Sequence, residues 1–241
     1  MFDVFLPRRT EPEQPLTAEL PAPPPRFAAP LGVALLAATA LLAVLLCHPN
    51  GSTVQGVDNA WADLMPGSPG GLFGVAATVV EAGMGGPTGL MVPLGLVGWL
   101  LLCRRWWSAL YALTACVLVN LVLILPLKDL VDRAHPKDPW TLVSGASFPS
   151  GHAFSAASLV VVLGAVVCSR RTRRRWWPLG LLVTATVMLS STWVRDSWLS
   201  DTVGGALTGA GAALLLWRAF APLLRREAQG AAAQLDQDRR G

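Results

Sequence analysis

The sequence predicts an all-α fold: a six-span transmembrane helix bundle with one additional interfacial helix. Three observations predict it. The 241 residues are 53% hydrophobic and only 14% charged, too little charge to cover a soluble domain of that length. Five apolar runs reach the roughly 17–25 residues a helix needs to cross a bilayer, and a sixth is slightly weaker. Arginine clusters stand beside alternate runs, as the positive-inside rule requires. Ten tryptophans against one tyrosine fit helix ends lying at lipid headgroups.

Residues 1–26 are polar and Pro-rich, with neither the basic start nor the short apolar core of a signal peptide, and are expected to form a flexible cytosolic tail. The membrane-embedded domain is expected over 27–226, with a second flexible cytosolic tail at 227–241. The first span is read at 27–47, with Arg8, Arg9 and Arg26 holding its start inside. Residues 71–84 are moderately apolar but contain Glu81, and Gly85-Gly86-Pro87 breaks them from the next run. Spans follow at 86–103, 107–127, 152–168, 177–194 and 202–223. Arg104-Arg105, the cluster from Arg170 to Arg175, and Arg225-Arg226 belong inside. Only one net crossing then fits between residues 50 and 103, so 71–84 is read as interfacial or re-entrant. The result is a multi-pass cell-membrane protein with both termini cytoplasmic and outer loops at 48–70, 128–151 and 195–201.

Those outer loops break the charge rule. Lys128, Arg133, Lys137 and Arg195 lie on the face that should be poor in cations, which suggests an anion to hold there, phosphate first. The alternative is simple pairing with Asp129, Asp132, Asp138 and Asp196. The net charge of +4 does not indicate nucleic acid, because most of the arginine surplus flanks spans and meets anionic lipid. Cys47, Cys103, Cys116 and Cys168 lie in or at the ends of apolar runs without zinc or redox spacing, and read as buried small hydrophobes. The three histidines are too few and scattered for an evident metal site, so no metal and no cofactor are expected. Gly205-x3-Gly209 reads as close helix packing, and Asn120 as an interhelical hydrogen bond.

Phe148-Pro149-Ser150-Gly151-His152 opens a helix at the outer face. Ser150 can cap it, Gly151 lets a ligand approach the backbone, and the free N–H groups of the first turn suit phosphate. His152 can then protonate a leaving alkoxide. With Lys128 and Pro136 before this motif and Asp201 after it, residues 50–223 resemble the type 2 phosphatidic acid phosphatase family, which is related to bacterial acid phosphatases and vanadium haloperoxidases. That family carries Lys-x6-Arg-Pro, Pro-Ser-Gly-His and Ser-Arg-x5-His-x3-Asp. Lys128, Pro136, Pro149, Ser150, Gly151, His152, Ser190 and Asp201 match. His135, Ser191 and Ser197 stand where the pattern has Arg, Arg and the attacking His.

The resemblance implies that His152 protonates the leaving group, Asp201 orients the attacking residue, and Lys128, Ser150 and Gly151 hold phosphate oxygens. Arg133 and Arg195 are the candidates to replace the missing arginines, Arg195 by one helical turn. His135 is the candidate relocated nucleophile, and Ser197 is another, though without an evident base. The expected function is hydrolysis of a lipid phosphate or diphosphate, polyprenyl or glycerolipid, at the outer membrane face. Lys128 and the arginines would stabilise the transferring group without a metal. The alternative is an inactive phosphatase-like protein that binds lipid phosphate or acts as a scaffold. A transporter role is a third reading, weakened by the lack of a detectable inverted repeat. Partners are lipid phosphate and membrane lipids, with no nucleic acid. The sequence sets neither the lipid nor the oligomeric state.

Overall fold

The structure, a computed structural model, describes residues 23–47, 52–65, 70–84 and 86–238. Every regular element among them is a helix: α1 (Ala28–Cys47), α2 (Ser52–Leu64), α3 (Gly71–Met84), α4 (Gly86–Leu102), α5 (Trp106–Val131), α6 (Gly151–Val166), α7 (Arg170–Trp193) and α8 (Leu199–Asp238). Arg8, Arg9 and His48 lie outside the described residues.

Among the described residues, α1, α5 and α8 are each long and apolar enough to cross a membrane, and α3 with α4 makes a fourth such unit, bent by 53°. Gly86 and Pro87 stand at the bend, where proline supplies no N–H and glycine tolerates an irregular turn. By length and composition the six expected spans are therefore met in part. α6 is apolar but short, and α7 opens on the cluster from Arg170 to Arg175. Leu121, Val122, Leu181 and Leu182 are exposed on the outer surface, as lipid-facing side chains are.

Within α5 the backbone hydrogen bonds widen to i→i+5 over Thr114–Leu118 and Asn120–Ile124, a local adjustment often found near functional sites. The helix ends at Asp132, whose left-handed φ of 44° stops it and releases the loop toward α6. α2 occupies a segment expected to be loop. Val54, Val57, Trp61 and Leu64 recur at helical spacing there, a short amphipathic pattern.

α8 lies between α1 and α6. Its Gly205 and Gly209 permit this, because a Cβ at Gly205 would stand 2.2 Å from Ser150 O and one at Gly209 2.4 Å from Phe154 O. Leu100, Tyr111, Val162 and Trp217 fill the core, and the Tyr111 hydroxyl donates to Ala213 O at 3.0 Å. α8 runs on to Asp238 through a stretch rich in Ala and Gln, so most of the segment expected to be a tail is helical. The Glu227 carboxylate caps the start of α5, accepting from Trp107 N at 2.6 Å and from the Ser108 hydroxyl at 2.5 Å. Of the cysteines only Cys116 is buried. Cys47 and Cys103 are exposed where their apolar helices end.

Candidate functional site

Three segments meet at one end of the bundle: the loop leaving α5, the first turn of α6, and the turn between α7 and α8. Backbone bonds tie them together, from Ser147 N to Arg133 O at 2.7 Å, Ser150 N to Asp201 O at 3.0 Å, and Trp140 N to Val194 O at 3.0 Å. Lys128, His135, Ser150–His152 and Asp201 thus share one end of the molecule, although they do not share one pocket.

Two cavities open there. The first, about 720 Å³, is lined by Asp58, Arg133, Lys137, Arg195 and Trp198. The second, about 670 Å³, is lined by Glu81, Lys128, Gly151, His152 and Asp196. His135 and Ser197 border both. Asn120 also lines the second cavity.

On the side of the first cavity Arg133 is fully engaged. It donates to Asp201 Oδ1 at 2.5 Å, Ser200 Oγ at 2.7 Å, Asp58 Oδ2 at 2.6 Å and Gln55 Oε1 at 2.7 Å. The Trp198 ring lies 5.4 Å from its guanidinium carbon. Asp58 also accepts from Ser200 N at 2.9 Å, and Asp201 from Trp198 N at 3.0 Å. Asp201 therefore holds a guanidinium rather than an imidazole. Arg195 does not reach the face of Ser191 by a helical turn. α7 stops at Trp193, Arg195 takes a left-handed φ of 58°, and its Nη1 contacts Lys137 O at 3.5 Å.

On the side of the second cavity, Lys128 Nζ donates to Ala146 O. Ser150 occupies the capping position of α6, yet its buried hydroxyl makes no capping bond and has no hydrogen-bond partner. A Cβ on Gly151 would meet nothing within 4 Å, so the backbone there is open to approach. His152 Nδ1 lies 3.0 Å from Glu81 Oε1 and 3.4 Å from Asp196 Oδ2. The Ser191 hydroxyl donates to Glu81 Oε2, and the Ser197 hydroxyl to Asp196 Oδ2, both at 2.9 Å. Ser197 is thus bonded to the carboxylate of its own chain neighbour, a pairing not recognised from the sequence. Burial pushes the Asp196 carboxyl up, but His152, Ser197 and His135 outweigh it and hold the group below its ordinary range.

His135 Nδ1 bonds to the Asp196 carbonyl, and its Nε2 faces the Gly145 carbonyl at 3.2 Å. Both ring nitrogens are therefore opposed by backbone oxygens.

Sequence reasoning missed two site residues. Asp58 was hidden because α2 was read as loop. Glu81 was visible as the lone charge of an otherwise apolar helix, a signal that ordinarily marks function in membranes. Glu81, His152 and Asp196 are also the one described group of three His, Cys or acidic residues whose ligating atoms lie within 4.8 Å of one another. Counting histidines alone concealed it.

A family model described as the PAP2 superfamily matches residues 105–225. Among solved structures, the chain is similar to a transmembrane PAP2-type phosphatidylglycerolphosphate phosphatase from Bacillus subtilis. The TM-score is 0.62 at 20% identity, covering 77% of this chain and 93% of that one, a likeness of fold. No curated protein matches the sequence.

Proposed function

The chain belongs to the PAP2 superfamily, and from that premise we propose that it is an integral membrane phosphatase hydrolysing a lipid phosphate or diphosphate at the outer membrane face. The observation that carries this reading is the second cavity. It combines Lys128, Gly151 and His152 with an apolar wall of Leu90, Val117 and Leu121. A phosphate can meet the lysine and the N–H groups at the start of α6, while a prenyl or acyl chain stays against the leucines.

Arg104-Arg105, the cluster from Arg170 to Arg175, and Arg225-Arg226 support a cytosolic location for their helix ends. With α6 and α7 as the remaining crossings, six spans result, both termini are cytoplasmic and the cavity faces outward. In this reading Lys128 neutralises phosphate charge, the Ser150 hydroxyl and the Gly151 amide hold oxygens, and the free Nε2 of His152 protonates the leaving oxygen. Asp201 and Arg133 brace the turn that carries Ser150, and Arg195 lines the neighbouring cavity. His135 or Ser197 is the attacking group, the latter with Asp196 as its base.

One observation favours a second reading, binding without turnover. Attack by His135 needs a free lone pair in line with phosphorus, and the Gly145 carbonyl faces its Nε2 at 3.2 Å. Phosphate release from phosphatidate, phosphatidylglycerol phosphate and polyprenyl diphosphate, measured on purified protein, separates the two. Hydrolysis is expected, falling about 100-fold in Lys128→Ala, the effect of removing a transition-state charge partner. No release, with lipid binding that Lys128→Ala removes, would establish the binding protein instead.

A further inference from the structure

The geometry points to a binding site for one first-row divalent cation, zinc before manganese, formed by Glu81, His152 and Asp196. These residues come from three separate places: α3, the first turn of α6 and the α7–α8 turn. An ion bonded at roughly 2.1 Å to each ligand separates neighbouring ligands by about 3.0 Å in an octahedral set and about 3.4 Å in a tetrahedral one. His152 Nδ1 stands 3.0 Å from Glu81 Oε1 and 3.4 Å from Asp196 Oδ2. One imidazole nitrogen with two carboxylates suits zinc or manganese better than calcium or magnesium, which prefer all-oxygen ligands.

Two further observations call for a cation here. Glu81 is only 3% exposed, and its Oε1 makes no hydrogen bond despite the nearby imidazole. It is a buried carboxylate oxygen directed into the group, with His152 Nδ1 3.0 Å away but outside hydrogen-bonding geometry. The cavity lining also holds the two carboxylates of Glu81 and Asp196 beside the ammonium of Lys128 and the imidazole of His152, so little net positive charge is left there for phosphate. A divalent ion adds it.

The outer layer is also in place. Ser191 donates to Glu81 and Ser197 to Asp196, the kind of support that orients carboxylate ligands. These are two of the three positions where the chain departs from the motifs it otherwise matches. The hydroxyls there hold the carboxylates in position. The cavity leaves a coordination position open, and only the step of filling it with a headgroup oxygen rests on the proposed function.

Metal analysis of the tag-free, full-length protein in detergent tests the site without any lipid. After chelator treatment and re-addition of Zn2+ or Mn2+, one ion per chain is expected, together with a rise in thermal midpoint. Glu81→Gln and Asp196→Asn, which keep side-chain shape, should each lose that uptake and that rise. Ser191→Ala and Ser197→Ala should weaken affinity about tenfold or more. A folded wild-type chain that takes up neither ion overturns the proposal and leaves a buried imidazolium between two carboxylates. Uptake that survives in Glu81→Gln or Asp196→Asn overturns it equally. Phosphate release is measured separately, so a metal-binding chain without turnover would refute the hydrolase and leave the site standing.

Discussion

Arg133 and His152 stand about the same kind of crossroads, each between two carboxylates brought from different segments. At Arg133 both oxygens of Asp58 and both of Asp201 accept hydrogen bonds, from the guanidinium, Ser200 and Trp198 N. At His152 one carboxylate oxygen makes none, and the imidazole stands farther off, 3.0 and 3.4 Å from its two carboxylates. A guanidinium has five fixed donors and remains charged, so with Ser200 and Trp198 N it completes such a site. An imidazole cannot. The first constellation is finished by the chain itself, and the second leaves a place for something from outside.

Removing the cation from the finished side should have the largest effect. Arg133→Met strands two buried carboxylates, and should destabilise the protein by about 3–5 kcal/mol in detergent unfolding. A loss below about 1 kcal/mol would make that network ornamental. The unfinished side should respond with the opposite sign. In chelator-treated protein Glu81→Gln removes one of two facing like charges and should stabilise by about 1 kcal/mol. A marked destabilisation would show that His152 is charged and already completes the site. The smallest effect belongs to Arg195→Ala. Its guanidinium reaches only a carbonyl at 3.5 Å, so lipid-phosphate affinity should change less than about fivefold. A greater loss would join the two cavities into one site.

How much of this could be read from the chain varied by residue. The helices were legible because apolar run length is a direct physical requirement of lipid, and the Pro149-Ser150-Gly151-His152 turn because its residues are local to one another. α2 was not, since thirteen residues bordered by Gly and Pro carry too weak a periodicity to exclude a loop. The meeting of Glu81 with His152 and Asp196 joins three distant segments, a relation that no spacing within the chain encodes. The separation of Arg133 from Lys128 was equally hidden. Both were read as one cationic surface, whereas Asp58, itself unread, draws Arg133 into a different environment.

The contact of Gly205 with the Ser150 carbonyl sets the height of the α6 turn by main chain meeting main chain. Side chains around the second cavity then hang from a frame set in part by close backbone packing. Such an arrangement can be refitted, one residue at a time, with new chemistry while the cradle holds its shape, which makes this end of the bundle a practical starting point for redesign.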